Sequence, residues 1–387
     1  MNKSPYINQI NFLPHAAARN EPVGDSIALD HETPPAHGGN VHAFAREFGV
    51  RVRDVLDFSA NINPLGFPAG IRRAVLESLD LLGHYPDPDS VDLRAALASY
   101  HGVPKSRVMV GNGSTELIYL VARGLRPKGA LVTVPAFSEY ERALVLAEAP
   151  TDFFITSEQN GFTLRHAPGA AGFDLIFMAN PASPCGTLLD PEELVPIVSE
   201  LERRGITVVL DEAFIDFVEE ASFKGFLGRF KNVILLRSFT KFFGIPGIRL
   251  GYLLASEDLI ARLSVYREPW SVSTPAQAIG LECLRDRRFI EESRAVVAEE
   301  RAWLSARLEE IGGLKVFPGS ANYLLIKFTE PGWTAALARK RLAARAILVR
   351  DASNFRGLDQ RFIRVAVKLR ADNERLVAAL ASMAEKD

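Results

Sequence analysis

The sequence predicts an α/β protein with two parts: a large domain on a mainly parallel mixed sheet, and a smaller α+β domain. Within residues 70–275 the runs Val108–Val110, Ala130–Val134, Asp174–Met178, Ile206–Leu210 and Val233–Leu236 are continuously apolar. Continuous rather than alternating runs are the mark of strands buried on both faces of a parallel sheet. Helical patterns separate them, as parallel crossovers require. After residue 276 the long charged amphipathic segment Phe289–Ile311 leads into Lys315–Phe317, Tyr323–Ile326, Ala346–Val349 and Phe362–Val367. These read as strands interleaved with helices, the pattern of the smaller domain.

The expected organisation is an arm or leader at residues 1–36, a segment at 37–69 associated with the small domain, the large domain at 70–275, and a connecting helix with the small domain at 276–387. Residues 1–36 are rich in Pro, His and charge without periodicity, and no chemistry is assigned to them. The 387 residues are 48% hydrophobic, enough for a sizeable core. Forty-seven acidic against 45 basic residues leave no global field to recruit nucleic acid or an anionic membrane, so small-molecule work is expected. Two cysteines, Cys185 and Cys283, are too few for a disulfide framework and show no metal-ligand spacing. No segment resembles a signal peptide or a membrane span. A soluble cytoplasmic protein without metal is the expectation.

The residues that carry chemistry sit at strand ends, where open α/β sheets bind ligands. Gly111-Asn-Gly-Ser-Thr-Glu116 opens a helix, so Gly113, Ser114 and Thr115 offer backbone N–H groups and a positive dipole end to a phosphate. A helix cap is the alternative use of the same residues. Asp211 ends a buried strand, and a carboxylate there needs a cationic partner such as a protonated ring nitrogen. A structural ion pair or helix cap serves equally well for that residue alone. Lys241 lies between Phe239 and Phe242-Phe243. Dry aromatic surroundings, with Arg237 and Arg249 adding positive potential, favour its neutral amine, which attacks carbonyls.

Asp211 and Lys241 are 30 positions apart. One βαβ unit is about 30 residues, so the two fall at neighbouring strand ends. Around Lys241, Ser238, Thr240 and Arg249 are placed to hold a phosphate dianion. Phe137, just after the strand ending at Val134, is placed to stack on a ring, with a plain place in the core as the alternative for that residue alone. A ligand with a phosphate, an aldehyde and a basic ring nitrogen answers all of these groups, and pyridoxal 5'-phosphate has all three.

The string Ser238-x-Thr-Lys241 with Gly247-Ile-Arg249-Leu-Gly251, and Asp211-Glu-Ala upstream, resembles the fold-type I aminotransferases, histidinol-phosphate aminotransferases among them. A longer set is similar to the threonine-phosphate decarboxylases of cobalamin biosynthesis. It comprises His37-Gly-Gly-Asn40, Leu56–Gly66, Tyr85-Pro-Asp87, Asp211–Phe217, Pro269-Trp-Ser-Val272 and Gly357-Leu-Asp359. The resemblance spans residues 37–380. It implies Lys241 as the lysine that condenses with the cofactor, Asp211 on the pyridine nitrogen, and Phe137 on the ring face. Gly113, Ser114, Ser238 and Arg249 would bind the cofactor phosphate, with Thr240 beside them. Tyr85 would reach the cofactor phosphate of a neighbouring subunit, which implies a homodimer with shared active sites.

This sequence departs from the aminotransferase pattern twice. Ser183, in Asn180-Pro-Ala-Ser-Pro-Cys-Gly186, stands where an asparagine usually meets the cofactor's 3′-oxygen, and Phe214 replaces a tyrosine. For the substrate, the resemblance implies Arg364 on the α-carboxylate and Arg350 on the substrate's own phosphate. A structural ion pair with Asp351 or Asp359 is the alternative for both. His37 and Gly38 offer a second phosphate contact, and Asn63 and Asn322 would line the pocket. The expected reaction is decarboxylation of O-phospho-L-threonine to (R)-1-amino-2-propanol phosphate. Histidinol-phosphate transamination, decarboxylation of O-phospho-L-serine and a non-catalytic cofactor-binding regulator are the rivals.

Overall fold

Side chains alternate along each central strand between two buried layers, and this alternation organises the large domain. Val108, Ile176, Val208, Leu210 and Leu235 enter one cluster, whereas Met109, Phe177, Val209, Ile234 and Leu236 enter the other. Apolar residues at every position are therefore required, because each face is covered by helices. Fully burying one such side chain contributes about 1.5–3 kcal/mol. The computed structural model describes residues 37–169 and 171–384. The arm expected at residues 1–36 lies outside the described residues.

The described chain starts with α1 (Val41–Phe48), whose cap Asn40 accepts the Ala43 N–H, and the short strand β1 (Leu56–Asp57). Helices α2 (Ile71–Leu79) and α3 (Val91–His101) follow. The large sheet is then laid down as β2 (Val108–Gly111), α4 (Gly113–Leu125), β3 (Ala130–Val134), α5 (Glu139–Leu146), β4 (Thr151–Ile155), β5 (Leu175–Ala179) and α6 (Pro191–Arg203). It is completed by β6 (Thr207–Asp211), β7 (Val233–Ser238), the four-residue α7 (Phe239–Phe242) and β8 (Gly251–Ala255). Strand order is β2-β8-β7-β6-β5-β3-β4, and only β8 runs against its neighbours.

All five strands read from the large domain's sequence are present. The two not anticipated are β4, a half-exposed edge, and β8, which begins inside the glycine-rich motif after Lys241. Its starting glycine hid the strand, since glycine is depleted in strands.

Helices α8 (Glu257–Ser264), α9 (Thr274–Arg285) and α10 (Arg287–Glu309) lead out of this layer. The Asp286 side chain accepts the Phe289 N–H at 3.0 Å, which starts α10 two residues before the expected Phe289. There follow β9 (Leu314–Phe317), β10 (Tyr323–Phe328), α11 (Ala335–Ala343), β11 (Ile347–Leu348), β12 (Arg350–Asp351), β13 (Phe362–Ala366) and α12 (Arg370–Ala384). The second sheet is antiparallel, in the order β12-β13-β10-β9. The single strand expected at Ala346–Val349 is divided: β11 pairs with β1, and β12 pairs with β13. Phe44 of α1 packs with Ala343 and Leu348, so the first described helix rests on this C-terminal layer.

Candidate active site

Because β2, β3, β5, β6 and β7 all run in one direction, the loops at their carboxyl ends emerge on one edge of the sheet. There they enclose a cavity of about 250 Å³, closed on the far side by β12, β13 and the segment 59–61. Fourteen of the site residues read from the sequence fall into two groups around it. Ser114, Thr115, Phe137, Ser183, Asp211, Ser238, Thr240, Lys241 and Arg249 come from the large sheet, with Gly113 behind Arg249. Arg350, Arg364, His37 and Gly38 form the opposite wall.

Lys241 is half-buried on α7 and opens on the cavity, and no described side chain accepts a hydrogen bond from its amine. Burial pushes its pKa down to about 8, helped by the Arg364 and Arg249 charges and opposed by Asp211 and Asp57. The expectation for Arg237 is corrected. Side chains alternate along β7, so Ser238 faces the cavity and Arg237 faces away. Arg237 is 0% exposed and is held by Glu212 at 3.0 Å, Asp216 at 3.0 Å and Glu219. Arg364, from the other sheet, supplies the positive potential instead.

Asp211 ends β6, buried, and its carboxylate accepts the Tyr140 hydroxyl at 2.5 Å and the Ala213 N–H at 2.9 Å. Burial raises its pKa, while Tyr140, the Ala213 amide and Lys241 pull the other way. No cation pairs with it among the described residues, so a protonated ring nitrogen would complete its surroundings. Tyr140 had no role in the sequence reading. The available signal was its position one helical turn after Phe137, whose ring it meets edge-on at 5.9 Å.

At the start of α4 the cap residue Asn112 makes no side-chain cap bond, and Ser114 and Thr115 face the cavity. Only Glu116 uses the capping chemistry, accepting the Asn112 N–H. Gly113 has φ +77°, and a Cβ there would sit 2.8 Å from Arg249 Nη2. Glycine thus lets the guanidinium close on the helix start. Arg249 itself holds φ +59°, a left-handed conformation uncommon for a non-glycine residue. Helix N-terminus, guanidinium and the Ser238 and Thr240 hydroxyls together suit a phosphate dianion.

On the far wall Arg364 donates from Nη1 to Ser183 Oγ and from Nη2 to the Ser59 carbonyl, both at 3.0 Å. Its Nε has no partner. The Ser183 hydroxyl is therefore already engaged. Arg350 donates to Asn354 Oδ1 at 2.8 Å and lies over the Phe355 ring, 4.9 Å from its centroid. Among the described residues neither arginine makes an ion pair: Asp359 takes Arg361, and Asp351 accepts the Ser353 N–H. Burial and the Arg350 charge bring the Arg364 pKa down to about 10. Nε2 of His37 lies 2.9 Å from Glu139 Oε1, and the Tyr119 hydroxyl donates to the other oxygen at 2.5 Å.

Three residues lie away from the cavity lining. Asn63 donates to the Phe242 carbonyl at 2.6 Å and Ser293 Oγ at 2.7 Å, bracing the end of α7 from behind. Asn322 is fully buried, with its backbone oxygen accepting the Val367 N–H. Tyr85 is 79% exposed and stacks on Trp270 at 4.7 Å. Asn61, by contrast, lines the cavity. It is 1% exposed, and both its side-chain polar atoms lack partners. The motif held two asparagines, and only the path of the loop decides which one turns inward.

The residues present therefore fit pyridoxal phosphate: an anion cup, a dry amine, an unpaired buried carboxylate and a flanking ring. Residues 53–380 match the model of the aminotransferase class I and II family. The chain is 40% identical over 352 residues to threonine-phosphate decarboxylase of Salmonella typhimurium, covering 89% of this chain and 95% of that one. The solved histidinol-phosphate aminotransferase from Clostridium acetobutylicum superposes with a TM-score of 0.80 at 28% identity, over 86% of this chain and 100% of that one. L-threonine-O-3-phosphate decarboxylase from Porphyromonas gingivalis does so with 0.76 at 29% identity, over 85% and 99%. The chain belongs to the aminotransferase class I and II family, with the fold-type I architecture and pyridoxal phosphate as its cofactor.

Proposed function

We propose that the protein removes carbon dioxide from O-phospho-L-threonine, giving (R)-1-amino-2-propanol phosphate for cobalamin biosynthesis. The observation that carries this reading is the in-register pair of arginines, Arg350 and Arg364, facing the cavity with no ion-pair partner among the described residues. Two buried guanidinium groups side by side call for two anionic groups. A substrate with both a carboxylate and a phosphate answers them in one complex, whereas histidinol phosphate has no carboxylate. The relative from Salmonella typhimurium supports the same choice.

When bound, pyridoxal phosphate supplies an aldehyde for the substrate amine and a ring that accepts electrons. The rest falls to the chain. Gly113, Ser114, Thr115, Ser238, Thr240 and Arg249 hold the cofactor phosphate, and Phe137 covers the ring. Asp211, oriented by Tyr140, keeps a proton on the ring nitrogen. Lys241 would present a neutral amine to the aldehyde; protonated in turn by the incoming substrate ammonium, its Nζ would stand to deliver that proton to Cα once carbon dioxide has left. Arg364 orients that carboxylate and Arg350 the substrate phosphate, with His37, Gly38 and Asn61 closing the same side. Their joint grip would fix the orientation of the substrate and so select which Cα bond is broken.

The working unit in this reading is a cytoplasmic homodimer in which Tyr85 reaches the partner's cofactor phosphate. Its support is the exposed Tyr85–Trp270 stack together with the exposed apolar side chains Phe67, Leu79 and Leu82; among the described residues no helix is long and apolar enough to cross a membrane. Incubation of holoenzyme with phosphothreonine and no keto acid tests the reaction. Catalytic release of carbon dioxide is expected, and stoichiometric accumulation of pyridoxamine phosphate instead would make the protein a transaminase.

A further inference from the structure

The loop of residues 352–361 joins β12 to β13 and crosses to the ends of β3 and β4 in the large sheet. Arg356 anchors it there. Its Nη2 donates to Glu141 Oε1 of α5 at 2.9 Å, and its guanidinium lies 3.8 Å from the centroid of the Phe153 ring on β4. The next residue, Gly357, has φ +91°, and a Cβ on it would stand 3.4 Å from Ile155 and 3.5 Å from Pro135. The backbone therefore turns in a way that suits glycine, directly against the sheet edge. The two residues before Arg356 serve the cavity: Asn354 accepts from Arg350, and Phe355 lies beneath the Arg350 guanidinium. Glu141 shares α5 with Glu139, which holds His37, and with Tyr140, which holds Asp211.

We propose that Arg356 is a positioning residue: gripped by Glu141 and Phe153, it fixes Asn354 and Phe355 so that Arg350 presents its guanidinium to the phosphate of the substrate. The proposal rests on the reading of a phosphorylated amino acid given above. A part-buried ion pair of this kind contributes modestly alone, and the ring beneath the guanidinium adds an attraction specific to a cation. Arginine suits this place better than lysine, because a planar guanidinium stacks on the ring while still donating to the carboxylate.

The test uses holoenzyme variants Arg356→Met and Arg356→Lys beside the parent. Arg356→Met should raise KM for phosphothreonine about tenfold with kcat within about twofold, the size expected when a ring-stacked, part-exposed ion pair is lost. Inhibition of the same holoenzyme by inorganic phosphate should weaken by the same factor, and Arg356→Lys should recover part of both. The cofactor absorbance spectrum and its pH midpoint should not move, since Lys241 and Asp211 are untouched. Unchanged KM and unchanged phosphate inhibition in Arg356→Met would overturn the proposal. So would joint loss of kcat, cofactor and Tm, which marks a purely structural role. If the parent enzyme fails to decarboxylate phosphothreonine, the functional reading falls, yet the phosphate-inhibition ratio still decides the role of Arg356.

Discussion

Arg350 and Arg364 stand opposite each other in the register of β12 and β13, both buried, and neither forms an ion pair among the described residues. Each leans on neutral acceptors: Ser183 and the Ser59 carbonyl for Arg364, Asn354 and the Asp351 carbonyl for Arg350. Neutral partners leave both charges available to anions. Replacing Arg364 by Gln should lower kcat/KM for phosphothreonine about 100-fold, the scale of one charge-assisted hydrogen bond lost from a dry site. Arg350→Gln should act on KM and should narrow the preference for phosphothreonine over threonine. Steady-state kinetics with both amino acids checks this; equal losses for the two would contradict the separate roles.

Lys241 yields a pH prediction with a definite sign. Burial favours its neutral form, so half the amines are neutral near pH 8 rather than 10.5. The rate at which apoenzyme recaptures pyridoxal phosphate should therefore climb with pH and level off above about 8. Stopped-flow absorbance reads this directly. Borohydride reduction should mark Lys241, and Lys241→Ala should abolish turnover.

Tyr140 holds Asp211 in its ionised form by donating at 2.5 Å. Removing that donor leaves only the Ala213 amide and Lys241 to oppose burial, so the Asp211 pKa should rise further in Tyr140→Phe. Cofactor affinity should fall about tenfold, as for a lost hydrogen bond to a charged group. The deficit should deepen as pH falls, because the protonated carboxyl no longer counters a ring cation. Equilibrium dialysis across the pH range measures both effects.

Asp57 lies behind the site and opposes the depression of the Lys241 pKa. Its Oδ1 accepts from the Ser59 N–H at 2.7 Å and the Ser59 hydroxyl at 2.6 Å. Asp57→Asn can keep these acceptors while losing the charge, so the loop geometry should survive. The midpoint for cofactor capture should then fall below about 8, in step with the lost Coulomb attraction. A midpoint that stays in place would show that geometry, not charge, is what Asp57 contributes.

Local order carried much of the sequence reading. Buried strands written as continuous apolar runs, a glycine-hydroxyl helix start, and a carboxylate and a lysine one crossover apart determined the layered architecture, the cofactor cup and the Asp211–Lys241 pair. These relations depend on strand period, helix dipole and crossover length, which neighbouring residues specify. What the chain does far from its own neighbourhood was decided by tertiary structure. The 237/238 pair splits to opposite faces of β7, so Arg237 is consumed by Glu212 and Asp216, while Arg364 takes its place beside Lys241. Arg364 meets Ser59 across 305 residues, and Asn61 rather than Asn63 turns into the cavity. Tyr140 finds Asp211, and Arg356 finds Glu141, only once helix α5 is packed. Such contacts join elements whose order along the chain says nothing of their distance, so packing of the two sheets against each other was needed to choose them.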